Sequence, residues 1–307
     1  MLVTRLRSAA VLIALVFGFM YLDVAYPLAG IPGVWMIPFF GILSIGTVRE
    51  AGLIAQKAWG IPILITPGLA LLAILFPAYP ELLRLFGSAG IFNITLAPEM
   101  QTIWARLGVT LLGAWGMVAW MGVLTMRSYQ SAANALGWLV SSGLLMYLCV
   151  ALACWWIIRQ VGAPTTGMLR IIGIATVTKM SDTGAYFVGK SFGNKRLVPL
   201  LSPKKTWEGF LGGIAFACLA SVLYFLFVSP NAQGLALPYS LFGPIALGIL
   251  LALGGLFGDL IESMLKRSGE VKDSGTTLPG LGGIWDVSDS LIPAGVVGLL
   301  AIAWGWI

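Results

Sequence analysis

The sequence contains no histidine, only three cysteines, and charged residues at just 10% of positions. Without histidine there is no Ser-His-Asp triad, no Cys-His pair and no imidazole-ligated zinc or iron. Cys149, Cys154 and Cys218 are odd in number, lie inside apolar runs and show no metal-ligand spacing, so they read as apolar fillers. No soluble domain, internal repeat or low-complexity tract stands out. Any catalysis must rest on carboxylates, basic residues, hydroxyls and a bound metal ion.

What is there in quantity is hydrophobic surface. Of the 307 residues, 59% are hydrophobic, and the mean hydropathy is +0.94. A transmembrane helix takes roughly 20 predominantly apolar residues, and about nine such runs are present. They fall near 8–29, 34–56, 59–77, 103–126, 133–158, 168–190, 209–229, 241–264 and 284–307. This predicts an all-α polytopic membrane protein with a polar site facing the cytoplasm. It would form one integral membrane unit, with N-terminal transmembrane helices over 1–160 and a C-terminal catalytic region over 161–307. Arg5 and Arg7 precede an apolar run that continues past Asp23 without a clear small-residue cleavage site, so a retained first helix is expected.

With the N-terminus inside, most of the 18 basic residues fall on the cytoplasmic side, and the 230–240 loop, placed outside, carries no charge. Two loops, 190–208 and 265–283, concentrate the basic charge. Topology and lipid headgroups alone explain charge at a membrane boundary, but not the turn chemistry around it. The front half is less informative. It has generic apolar helices, a polar external stretch near 80–102, and Glu50 beside Arg49, which reads as an interfacial ion pair.

Ionisable side chains facing lipid cost roughly 2.5–3.5 kcal/mol each on insertion scales. Asp182, Asp259, Glu262, Asp286 and Asp289 lie in or at the ends of apolar runs and so are expected to share a polar cavity or its rim. Asp259 and Glu262 are three residues apart, as are Asp286 and Asp289, a spacing that puts each pair on one helix face. Oxygen ligands alone suit a hard cation such as Mg²⁺, which binds through one or two carboxylates while substrate phosphates complete its shell. Lys204, Lys205, Lys266, Arg267 and Lys272 then read as phosphate clamps.

Blander readings stand beside these. Asp286 and Asp289 follow Pro279, Gly280, Gly282 and Gly283 and could cap a helix; Asp259 could pair with Lys266 or Lys179, and Glu262 with Lys266. Ser202 or Thr206 can cap the helix that follows them, and Glu208 suits its first turn. The segment Gly184 to Ser191, GAYFVGKS, fits the P-loop pattern literally, but it carries bulky apolar residues at the end of a membrane helix rather than joining a strand to a helix.

The segments SDTGAYFVGKSFG, LSPKKTWEGFLGG, GDLIESMLKR and VKDSGTTLPGLGGIWDVSDS, in this order over about residues 175–293, resemble the consecutive motifs of the phosphatidate cytidylyltransferase family. The resemblance implies a polytopic, mostly dimeric membrane enzyme that joins CTP to phosphatidic acid with Mg²⁺, giving CDP-diacylglycerol and pyrophosphate in phospholipid biosynthesis. It implies substrate and membrane lipids as partners, with no nucleic acid, and a place in the cell (inner) membrane.

On this reading Asp259, Asp286 and Asp289 are catalytic, and with Asp182 they hold metal. Lys204, Lys205, Lys266, Arg267, Lys272 and Asp273 bind substrate. Two positions depart from the family pattern: Leu281 stands where a histidine is usual, and Val287 where an arginine is. A CTP-dependent lipid kinase of the polyprenol type and an ion-coupled transporter are the alternatives.

Overall fold

The computed structural model describes residues 2–59, 75–88, 102–127, 132–228 and 241–306. In chain order the helices are α1 (Leu2–Ala25), α2 (Met36–Trp59), α3 (Tyr79–Ser88), α4 (Ile103–Arg127), α5 (Ala132–Gln160) and α6 (Pro164–Phe192). A short antiparallel hairpin follows, β1 (Arg196–Val198) with β2 (Ser202–Thr206), then α7 (Trp207–Phe227), α8 (Phe242–Ser268), α9 (Ile284–Ser288) and α10 (Leu291–Ala303).

Seven described helical segments are long and apolar enough to cross a membrane: Val3–Ala25, Met36–Trp59, Ile103–Arg127, Asn134–Gln160, Trp207–Phe227, Phe242–Ser268 and Ile284–Ala303. Large apolar side chains such as Leu112, Met126, Phe227 and Phe242 are exposed along them, as a lipid-facing surface requires. The span expected at 168–190 falls inside α6. Its 29 residues reach roughly 43 Å at 1.5 Å per residue, but it carries Arg170, Lys179, Asp182 and Lys190 and is more polar than the seven. The span expected at 59–77 and the loops at 80–102 and 230–240 lie wholly or largely outside the described residues.

Two compact units form, one of Met1–Gln160 with Leu265–Ser288, the other of Val161–Met264 with Asp289–Ile307. In the first, buried ion pairs hold the helices. Arg159 of α5 donates through Nε to Asp23 Oδ2 of α1 at 2.8 Å and also pairs with it through Nη2, while Asp23 Oδ1 accepts from the Gly33 amide at 2.8 Å. Arg106 of α4 makes a two-pronged bond to Glu81 of α3, at 2.7 and 2.8 Å. All four charged side chains are buried. Cys149 and Cys154 are buried in α5, in keeping with their reading as apolar fillers.

In the second unit α6 and α7 make the most extensive helix contact, and glycines let them approach. A Cβ at Gly212 would come within 2.5 Å of the Val188 side chain, and one at Gly184 within 2.5 Å of Phe216. This is the physical role of the P-loop look-alike: Gly184 and Gly189 lie in the continuous helix α6, at its contact with α7 and Thr206.

Substituting Gly212→Leu should therefore lower the unfolding temperature in detergent sharply. Gly116→Ala, where a Cβ would meet nothing within 4 Å, should leave it unchanged. Removing one partner of the Arg159 pair by Arg159→Ala should cost about 3–5 kcal/mol, because it strands a buried carboxylate. Both are read by thermal unfolding of purified protein.

Candidate functional site

Each unit carries a polar cluster, and each is built from the chain's turns and breaks. In the second unit, α8 presents Asp259 and Glu262 one turn apart, as their spacing predicts. The chain enters α10 through a two-residue break at Asp289 and Ser290. One ligand oxygen each from Asp259, Glu262 and Asp289 lies within 4.8 Å of the others. Glu262 is buried, while Asp259 and Asp289 are partly accessible.

The break is allowed by close packing, since a Cβ at Gly258 would lie 2.2 Å from the Asp289 carbonyl oxygen. Asp286 and Asp289 thus do not share a face of one helix. Asp286 belongs to α9, which ends at Ser288, and Asp289 to the turn that follows.

Lys205 Nζ lies 2.5 Å from Asp259 Oδ2, so the lysine partner of Asp259 comes from β2. Asp182 of α6 is half-exposed. Its Oδ2 accepts from Ser290 Oγ at 3.0 Å and from Lys179 Nζ at 3.4 Å, and Lys179 also donates to Ser290 Oγ at 2.8 Å. A cavity of about 300 Å³ opens among these groups. Asp182, Lys204, Lys205 and Asp259 give it polar corners, and Tyr186, Leu197, Phe210 and Leu256 an apolar wall.

Lys204 and Lys205 therefore stand on a strand rather than in the first turn of α7, where they would oppose the helix dipole. Thr206 is the cap, its Oγ1 accepting from the Gly209 amide at 3.1 Å. Glu208 accepts from the amides of Asn194 and Lys195 at 3.1 and 3.2 Å, which ties the hairpin's start to α7.

In the first unit Asp286 sits in a frame of donors. Lys266 Nζ donates to its Oδ1 at 2.8 Å, and the amides of Ser274 and Gly283 donate to its Oδ2 at 2.7 Å each. Gly282 must lack a side chain here, because its φ is 101° and a Cβ would lie 2.4 Å from Asp286 Oδ2. A second cavity, about 570 Å³, is lined by Arg5, Lys272, Asp273 and the turn through Leu281. Arg267 is exposed.

Glu50 is the residue the sequence reading missed. It is no interfacial partner of Arg49: Arg49 is exposed, whereas Glu50 is 5% exposed and binds the 274–285 segment. The available signal was a lone acid in an apolar run, which has to face a protein interior.

Three carboxylates this close repel one another, and the oxygen-only donor set fits a hard divalent cation. Purified protein should bind Mn²⁺ saturably in a paramagnetic resonance titration. Asp289→Asn or Glu262→Gln should weaken that binding on the order of tenfold or more.

A model of the cytidylyltransferase family matches residues 3–304. Over 130 residues the chain is 41% identical to a phosphatidate cytidylyltransferase of Chlamydia muridarum, covering 42% of this chain and 41% of that protein. It is 43% identical over 126 residues to one of Bacillus subtilis, covering 41% and 44%, and 38% identical over 131 residues to one of Haemophilus influenzae, covering 43% and 44%. The alignments thus span about two-fifths of the length of these curated relatives.

Proposed function

The chain belongs to the cytidylyltransferase family, and from that premise we propose that it condenses CTP with phosphatidic acid to CDP-diacylglycerol and pyrophosphate. The observation that carries this reading is in the second unit. There Asp259, Glu262 and Asp289 converge, and Asp259, bonded to Lys205, also lines a cavity that pairs charged corners with an apolar wall. Charged corners suit phosphates and the wall suits an acyl chain. Similarity to proteins named phosphatidate cytidylyltransferase supports the same substrates.

In the reaction, a phosphate oxygen of phosphatidic acid attacks the α-phosphorus of CTP in line. The bond from that phosphorus to the bridging oxygen breaks, and pyrophosphate leaves with the electron pair. The attacking oxygen is already ionised at neutral pH, so no strong general base is needed, in keeping with a chain that has no histidine.

The protein's task is positioning and charge neutralisation. Asp259, Glu262 and Asp289, with Asp182 at the cavity, would hold Mg²⁺, which when bound offsets the charge of substrate oxygens. Lys204 and Lys205 bind phosphate from the hairpin. In the first unit, Lys266, Arg267, Lys272 and Asp273 serve substrate binding, and Asp286, its Oδ1 bonded to Lys266, serves catalysis and metal binding. The acting face is assigned to the cytoplasmic side of the cell membrane, and the enzyme to a homodimer.

The test is turnover of radiolabelled CTP by purified protein with phosphatidic acid and Mg²⁺, with products resolved. Labelled CDP-diacylglycerol is expected, and Asp289→Ala should lower its rate on the order of 10²-fold or more without loss of membrane insertion. Lys204→Ala and Lys205→Ala should raise the KM for CTP or lower kcat. Release of CDP with a phosphorylated lipid would replace the synthase reading with a kinase, and a well-folded preparation giving no lipid product would overturn it.

A further inference from the structure

The buried carboxylate of Glu50 lies far in sequence from every motif residue, yet it meets the segment that carries Asp286. Its Oε1 accepts from the Ile284 amide at 3.0 Å and from Thr277 Oγ1 at 2.8 Å, and its Oε2 accepts from the Trp285 amide at 2.9 Å. Ser274 Oγ lies 2.8 Å from Glu50 Oε2 and 2.9 Å from Asp286 Oδ2, so one hydroxyl joins the two carboxylates. The two amides and the Thr277 hydroxyl donate to Glu50, while the single Ser274 proton lies between Glu50 and Asp286.

The segment is shaped to admit it. A Cβ at Gly283 would lie 2.2 Å from Glu50 Oε2, and one at Gly275 2.6 Å from Oε1. The residues so fixed, Ser274 and Gly283 to Trp285, are the same stretch whose amides at Ser274 and Gly283 hold Asp286.

We propose that Glu50 is a positioning residue for the reaction, holding the 274–285 segment so that Asp286 and its partner Lys266 keep their geometry. The assignment rests on the synthase reading above. A buried glutamate that merely pins α2 to a loop would affect stability. One that acts through Asp286 lowers the turnover of the folded enzyme by more than any loss of folded protein accounts for.

Glutamine is the informative replacement. Whichever end of its amide carries the NH₂ meets a backbone N–H, at Ile284 or at Trp285, that cannot reverse, so the clasp loosens without a change of volume.

The test compares wild type, Glu50→Gln and Ser274→Ala in CDP-diacylglycerol synthesis, thermal unfolding in detergent, and hydrogen exchange at the 283–285 amides. The expected result for Glu50→Gln is a kcat lower by about 10–100-fold in protein that is still fully folded at the assay temperature, with an unfolding temperature lowered but well above it, the KM for CTP held and faster exchange at Ile284 and Trp285. Ser274→Ala should lower kcat in the same direction.

Wild-type kcat in Glu50→Gln overturns the proposal, as does a loss of kcat that only tracks a loss of folded protein. If Glu50→Gln yields no folded protein, Ser274→Ala carries the test, and an unchanged kcat there overturns it. A wild type that makes no CDP-diacylglycerol sinks the synthase reading and this assignment with it, whereas an active wild type beside an unaffected Glu50→Gln sinks this assignment alone.

Discussion

A charge taken out of water into a helical bundle must bring its partner with it, and the rest of this structure is arranged around that requirement. Asp23 with Arg159, and Glu81 with Arg106, satisfy it between packed helices. These pairs are closed: fork-shaped guanidinium groups meet carboxylates at hydrogen-bond distance, and the side chains are buried. Closed pairs fix helices. The acidic group of Asp259, Glu262 and Asp289 differs in kind, because it gathers like charge beside a cavity. Gathering like charge raises the free energy of the empty site and so favours the binding of a cation.

Main-chain geometry makes such a group affordable. In α6 and α7 the glycines remove side-chain volume where two helices meet, so the segment carrying Asp182 is held by bulky side chains such as Val188 and Phe216 seated against glycine. The hairpin between them carries Lys204 and Lys205 on a strand, with Thr206 as the helix cap and Glu208 tying the hairpin's start to α7. Local rules of capping and strand pairing thereby deliver two cations to a membrane site without setting them against a helix dipole.

The polytopic helical class was legible from composition, because about 20 apolar residues in a row have few other readings. The pairing of Asp259 with Glu262 was legible too, since both lie on one uninterrupted helix. The spacing rule failed at Asp286 and Asp289, where the chain leaves the helix at Ser288. An i, i+3 argument holds only while the helix continues, and Pro293, which has no N–H to offer the Asp289 carbonyl, interrupts it here, with Gly258 leaving room for that carbonyl. Glu50 was misread for a different reason. Its neighbour Arg49 offered a local partner, but its actual partners lie more than 220 residues away, at Ser274, Thr277, Ile284 and Trp285. Local pattern carries no information about such contacts.

The same distinction bears on the two positions where the chain departs from its family. Leu281 sits at the tip of the 278–282 turn, where its amide donates to the Leu278 carbonyl at 3.0 Å, a bond any residue but proline can make. Val287 lies within α9, also in a main-chain role. The frame around Asp286 consists of the amides of Ser274 and Gly283, the Ser274 hydroxyl, Lys266 and the clasp of Glu50. Neither Leu281 nor Val287 supplies a side-chain atom to that frame. Leu281 instead lines the 570 Å³ cavity beside Arg5, Lys272 and Asp273, so its side chain bears on that cavity and not on the means of holding the carboxylate.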